Sequence, residues 1–262
     1  MKKSRILILT MQQHDTRQQA KNLAEFITPP KLRAFLANKV KGENLTVLEP
    51  AIGSGQLLFN IQEQIKEIDG YDVNQLALDV CKKNFQDKAN IHCQDFILAD
   101  VSKEYDIAIA NYPFSLSPTQ EHREYISKNQ FLKQFYYKGK TESELFGNVD
   151  FESVVKPSDI TGKLDIIFIL KSFNLAKEGF YLCFPGIAYR GQELKFRKYL
   201  IENKFIKEVG RIDNAKFDHT SISILYLHLT KTPNETTTAF TVDLETGKTL
   251  RSEERRVGKE CR

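Results

Sequence analysis

No apolar run in the 262 residues approaches the roughly 20 needed to cross a bilayer. The start, MKKSRILILTMQQHD, has two lysines followed by an apolar stretch too short for a secretory leader. A cytoplasmic chain with no membrane partner is expected. The four cysteines, Cys81, Cys93, Cys183 and Cys261, show no CxxC spacing. That spacing indicates neither a zinc site nor a disulfide framework, and buried free thiols are expected instead. Internal repeats and low-complexity tracts are absent as well.

Neither sign of charge dominates: 38 Lys and Arg stand against 34 Asp and Glu, a formal net charge of +4. The last twelve residues, RSEERRVGKECR, resemble the translation of a common sequencing adapter and are set aside as a non-biological tail. They carry five basic and three acidic residues, so without them the net charge falls to +2. Such mild basicity argues only weakly for a polyanionic partner. A natural protein that continues past Leu250 is the corollary.

What is present is an alternation of strand and helix patterns. Leu45 to Ala51, Ile68 to Val73, Asn90 to Phe96, Tyr105 to Ala110 and Phe180 to Phe184 read as strands. Gln56 to Lys66, residues 164 to 177 and Gln192 to Asn203 read as helices, and Asn74 as the cap of another. Phe205 to Ile212 and Ile222 to Leu229 follow, with only a turn between them, so they are expected to pair antiparallel. This pattern predicts an α/β layer fold with a mostly parallel sheet and helices on both faces. Seven strands with an antiparallel last member are expected. Residues 115 to 160 form a long insertion after the fourth strand.

Polar residues cluster where strands end. Glu49-Pro50-Ala51 closes the first strand, and Gly53 and Gly55 open the next helix, letting a ligand approach without a Cβ in the way. About 20 residues on, the second strand ends at Asp72, the place of a ribose-binding carboxylate. Asp95 ends the third strand, and the fourth stops on Asn111-Tyr112-Pro113-Phe114. Loops at the carboxyl ends of adjacent strands converge on one crevice. A nucleoside-containing cofactor follows. A nicotinamide cofactor would favour GxGxxG, but Leu58 stands three residues after Gly55.

In this order the motifs resemble those of the S-adenosylmethionine-dependent DNA methyltransferases that act on adenine N6. EPAIGSG resembles their first motif, GYDVN the second, QDF the third, and NYPF the catalytic (D/N/S)PP(Y/F). EFITPPKLRAFL, upstream, resembles the cofactor-contacting segment of the gamma group, which includes the modification subunits of type I restriction systems. The similarity spans roughly residues 20 to 230. It implies a Rossmann-like class I methyltransferase fold and an adenine-specific DNA methyltransferase. Phe26, Thr28, Glu49, Pro50, Ala51, Gly53 and Gly55 would line the S-adenosylmethionine site. Asp72 would hold the ribose, and Asp95 with Phe96 the adenine. Asn111 and the Tyr112 carbonyl would accept the two hydrogens of the target amine, Pro113 would stiffen the turn, and Phe114 would stack on the base. Tyr112 departs from the family, which has proline there.

The implied partners are DNA and a separate specificity subunit, or a target-recognition region further along the protein. Basic and aromatic residues interleave over residues 122 to 140, as a strand-contacting element would require, although a solvated amphipathic helix has the same pattern. Tyr189, Arg190 and Lys195 are further candidates. Residues 1 to 44 are read as an N-terminal segment carrying the Thr-Pro motif, 45 to 230 as the catalytic domain, 231 to 250 as the start of a C-terminal region, and 251 to 262 as the tail. Methylation of another planar nitrogen (a protein glutamine or an rRNA guanine) and an inactive DNA-binding subunit are the alternatives.

Overall fold

The computed structural model describes residues 27 to 136, 155 to 217 and 220 to 256. Phe26, residues 137 to 154 and Cys261 lie outside them. A nine-stranded mixed sheet runs through the molecule in the order β3-β2-β1-β4-β5-β7-β6-β8-β9. Strands β1 (Leu45–Glu49), β2 (Ile65–Asp72), β3 (Ala89–Cys93), β4 (Tyr105–Ala110) and β5 (Ala176–Cys183) are parallel. Strand β7 (Thr220–Thr230) enters antiparallel between β5 and β6 (Ile206–Phe217). The seven-strand arrangement is therefore present. Two further strands, β8 (Thr236–Asp243) and β9 (Thr249–Arg256), extend its edge. Residues 251 to 256, set aside from the sequence, take part in β9 through backbone pairing with β8.

The central strands show why this sheet must be covered on both sides. Successive side chains alternate faces, and here both faces are apolar. Leu48, Ala108, Ala110, Tyr181 and Cys183 join one buried core. Val47, Ile107, Ile109, Phe180 and Leu182 join the other. Such double burial is characteristic of parallel sheets. Helices α1 (Pro30–Lys39) and α2 (Gln75–Phe85) contribute Leu32, Leu36, Leu78 and Phe85 to the second core.

Helix α2 starts where Asn74 was expected to cap it, its Oδ1 accepting the Leu76 N–H at 3.0 Å. The expected helix at Gln56 to Lys66 is instead a 3-10 helix over Gln56–Gln64. Strand β2 begins at Ile65, three residues earlier than the pattern indicated, because both Ile65 and Ile68 are buried.

Within the insertion, α3 (Gln120–Lys128) and the single turn α4 (Gln130–Lys133) pack on the first core through Ile126 and Leu132. Helix α5 (Asp165–Asn174) is buried from Asp165 to Phe173, as a helix between a sheet and a covering layer must be. Helix α6 (Leu194–Glu202) follows β5. Of the cysteines, Cys81 and Cys183 are buried free thiols, whereas Cys93 is exposed. Burial pushes both buried thiols up to about 12.

Gly55 combines a left-handed φ of 79° with a tight contact: an added Cβ would lie 2.5 Å from the Phe85 ring and 2.9 Å from Cys81 Sγ. Backbone strain and overpacking add, so Gly55→Ala is expected to destabilise the fold by about 2–4 kcal/mol. Urea unfolding measures this directly, and an unchanged midpoint would contradict the packing described.

Candidate functional site

Strand order reverses between β1 and β4, and the crevice at their carboxyl ends holds the cleft. Thr28, Pro50, Ala51, Gly53, Asp72, Asp95, Phe96, Asn111 and Pro113 all line it. Four sequence candidates stand elsewhere. Glu49 is sealed beneath the loop, 1% exposed. Gly55 turns the chain behind the cleft against Phe85. Tyr112 and Phe114 face the core.

Each carboxylate has a distinct environment. The Gly53 N–H donates to Asp72 Oδ2 and the Asn74 N–H to Oδ1, both at 2.9 Å. Asp72 thus ties the glycine loop to the start of α2. Asp95 accepts the Ile97 N–H through Oδ1 (2.8 Å), while its Oδ2 lies 2.8 Å from His122 Nε2. The Thr119 N–H donates to His122 Nδ1 at 3.0 Å, so Nε2 carries the proton given to Asp95. Burial works to raise Asp95, but His122 and the Ile97 amide outweigh it and hold the carboxyl below its usual range. Glu49 is the opposite case. No donor meets either of its oxygens in good hydrogen-bond geometry, the Ala51 N–H being the one that lies near. Burial, followed by the nearby Asp72 charge, pushes it well above the usual range against the pull of the Ala51 N–H.

At the end of β4, Asn111 Nδ2 donates to the Thr28 hydroxyl at 2.9 Å. Its Oδ1 is hidden from solvent and has no partner. The next turn is held from behind. Ser115 adopts φ +61°, and its N–H donates to Asp165 Oδ1 at 2.8 Å. Asp165, fully buried, also receives Arg190 Nη2 at 3.1 Å, and Arg190 reaches Glu193 at 2.9 Å. Burial raises Asp165 overall, despite the Ser115 amide and Arg190. Lys171 donates to the Ile97 and Ala99 carbonyls (2.8 and 2.6 Å) and to Tyr125, pinning the Asp95 loop to α5 and α3. Burial lowers Lys171 to about 8, partly offset by Asp95 and Asp100.

A model of the N-6 DNA methylase family matches residues 9–260. The chain belongs to that family. It is 26% identical over 255 residues to the methylase subunit of the type I restriction enzyme MpnII of Mycoplasma pneumoniae, covering 85% of this chain and 43% of that protein. It is 28% identical over 202 residues to the type II methyltransferase M.AccI of Acinetobacter calcoaceticus, covering 74% and 34%. The chain therefore spans less than half the length of these relatives. Among solved structures, a type I restriction-modification methyltransferase subunit from Streptococcus thermophilus superposes with a TM-score of 0.64 at 16% identity, over 92% of this chain and 53% of that one. A Listeria monocytogenes protein assigned to the class I S-adenosylmethionine-dependent methyltransferases gives 0.60 at 16% identity, over 82% and 65%. The fold is that of the class I methyltransferases.

Against this N-6 DNA methylase background, the Tyr112 departure acquires a physical account. Its ring is 1% exposed and stacks on Phe168 at 5.5 Å with 4° between planes. Its hydroxyl lies beside the Cys183 thiol without an oxygen or nitrogen partner. Phe114 stands edge-on to Tyr112 at 6.1 Å. Packing thus stiffens the backbone that the family's proline ring would stiffen covalently. Four residues that hold the site, His122, Asp165, Phe168 and Lys171, were not singled out as such in the sequence. Thr119 and His122 cap α3 in the structure, but nothing local in the sequence signals that His122 reaches Asp95. Arg190, a candidate nucleic-acid contact, is spent on Asp165 and Glu193.

Tyr112→Pro is expected to destabilise the protein by about 3–5 kcal/mol, although it restores the family residue, because it empties a packed aromatic site. Tyr112→Phe, which deletes only the hydroxyl, is expected to stay within about 1 kcal/mol of wild type. Chemical unfolding of both variants distinguishes them. Equal stability of Tyr112→Pro and wild type would refute the stacking role.

Proposed function

We propose that the chain transfers a methyl group from S-adenosylmethionine to the N6 amine of an adenine flipped out of DNA. The observation that carries this reading is the unpaired, solvent-shielded Asn111 Oδ1 at the end of β4. A buried acceptor without a donor costs free energy, and Asn111 lines the cleft, where a ligand can supply the donor. An exocyclic adenine amine supplies two N–H groups. Oδ1 accepts one and the Tyr112 carbonyl the other. Hydrogen-bonded in this way, the nitrogen becomes more tetrahedral and its lone pair more available. With S-adenosylmethionine bound, the lone pair would take the methyl as the S–CH₃ bond breaks, leaving the neutral thioether S-adenosylhomocysteine, and the nitrogen would lose its proton to water. The contribution of the protein is positioning and electrostatics.

The residues of the cleft fit the cofactor. S-adenosylmethionine bears a sulfonium and an ammonium, and two carboxylates, Asp72 and Asp95, line the cleft at the strand ends. It supplies the electrophilic methyl. Asp72, at the end of β2 and lining the cleft, is placed for the ribose hydroxyls. Asp95 and Phe96 are placed for the adenine, Thr28, Pro50, Ala51 and Gly53 line the remainder, and Glu49 and Gly55 support the loop from behind. Phe26 is the remaining candidate contact. Phe114, half-buried beside Tyr112, can reach the target base only by turning from the core. Extrusion from the duplex is required because the target nitrogen is otherwise inaccessible.

The subunit character of the type I relatives supports assembly with a partner that recognises the DNA site. Among the described residues no helix is long and apolar enough to cross a membrane.

Calorimetry with S-adenosylmethionine tests the cofactor site: Asp72→Ala is expected to weaken binding about tenfold to a hundredfold. Asn111→Ala is expected to bind the cofactor as wild type does, yet lose about a hundredfold or more in methyl transfer to DNA. Retained transfer in Asn111→Ala would refute the assigned role.

A further inference from the structure

The carboxamide of Asn111 has two ends of nearly equal shape and opposite chemistry, and rotation about its last bond exchanges them. Only one orientation presents an acceptor to an amine. Three observations bear on what selects it. Thr28 Oγ1 lies 2.9 Å from Asn111 Nδ2, a contact across 83 positions of sequence. Thr28 is 6% exposed, so water competes weakly for its hydroxyl. It precedes Pro29, which disfavours helical backbone at Thr28, and Pro30 starts α1, whose Leu32 and Leu36 are fully buried. The hydroxyl is therefore mounted on a rigid support. Asn111 Oδ1, at the other end of the same carboxamide, has no partner of its own.

From this we infer that Thr28 is the positioning residue for Asn111, its hydroxyl accepting from Nδ2 so that Oδ1 stays turned toward the target amine. The assignment rests on the methyltransferase reading for its consequence in catalysis, but the hydrogen bond exists in the free protein and is testable without turnover. It gives the Thr-Pro segment a second task beside lining the cofactor cleft. The segment links the base-gripping amide at the end of β4 to α1 and its core. A threonine hydroxyl also carries a proton and could instead donate to Oδ1. That reversed arrangement would turn Nδ2 toward the amine and leave two donors facing each other.

The test compares Thr28→Val, which keeps the shape and deletes the hydroxyl, with Thr28→Ser, which keeps the hydroxyl. The first readout is the Asn111 side-chain amide resonance in ¹⁵N-labelled protein, assigned by its loss in Asn111→Ala. Thr28→Val is expected to shift this resonance and speed its proton exchange at least severalfold, with Thr28→Ser close to wild type. The second readout is kinetic, at saturating S-adenosylmethionine. Thr28→Val is expected to lower kcat about tenfold while the cofactor Kd changes less than about threefold, and Thr28→Ser is expected to restore kcat. An Asn111 resonance unaltered in Thr28→Val overturns the proposal. So does a weakened cofactor Kd with unchanged kcat, which would make Thr28 a cofactor contact alone. If the wild-type chain transfers no methyl group to DNA, the methyltransferase reading fails, and the resonance still decides whether Thr28 holds Asn111.

Discussion

A parallel strand buried on both faces can carry reactive polar groups only at its ends. In this chain β1 and β4 stand in the interior of the sheet with apolar cores on either side. Their carboxyl ends are where the strand order reverses and the helical layers part. Asp72, Asp95 and Asn111 all occupy positions at or just past such ends, and they meet in one cleft for that reason. Glu49, at the end of β1 itself, stops short of the opening: its carboxyl group is buried and meets no donor in good hydrogen-bond geometry.

Holding these groups still requires a second set of contacts, and most come from outside the sheet. His122 of α3 and the Ile97 amide hold Asp95, Lys171 of α5 ties down the loop after it, and Asp165 at the start of α5 grips the turn after Phe114. The insertion between β4 and α5 thus supports the cofactor side of the cleft through α3, whatever other part it plays. Buried polar groups of this kind are stable only when paired, so each pairing also restricts the loop that carries it.

The strand-end residues were legible in the sequence because local pattern determines them. An apolar run, then an acidic or amide residue, then a glycine or proline, defines a strand end without knowledge of the fold. The Asn74 cap was legible for the same reason. Partners joined only by tertiary structure were not. The His122–Asp95 and Asp165–Ser115 contacts span 27 and 50 positions, and neither has a local signature. The orientation of Tyr112 was hidden as well, since alternation through a turn with Pro113 is undefined. The 3-10 geometry at Gln56–Gln64 escaped because its apolar spacing resembles that of an α-helix.

The central claim is that the Asn111 acceptor and the cofactor cleft act together on one exocyclic amine. Its most direct test is to supply methyl-labelled S-adenosylmethionine and duplex DNA to the chain, together with any partner subunit it requires, and to identify the labelled nucleoside after complete digestion. The account predicts label on N6-methyladenine alone. Label on a cytosine, on another macromolecule, or on nothing at all would contradict it.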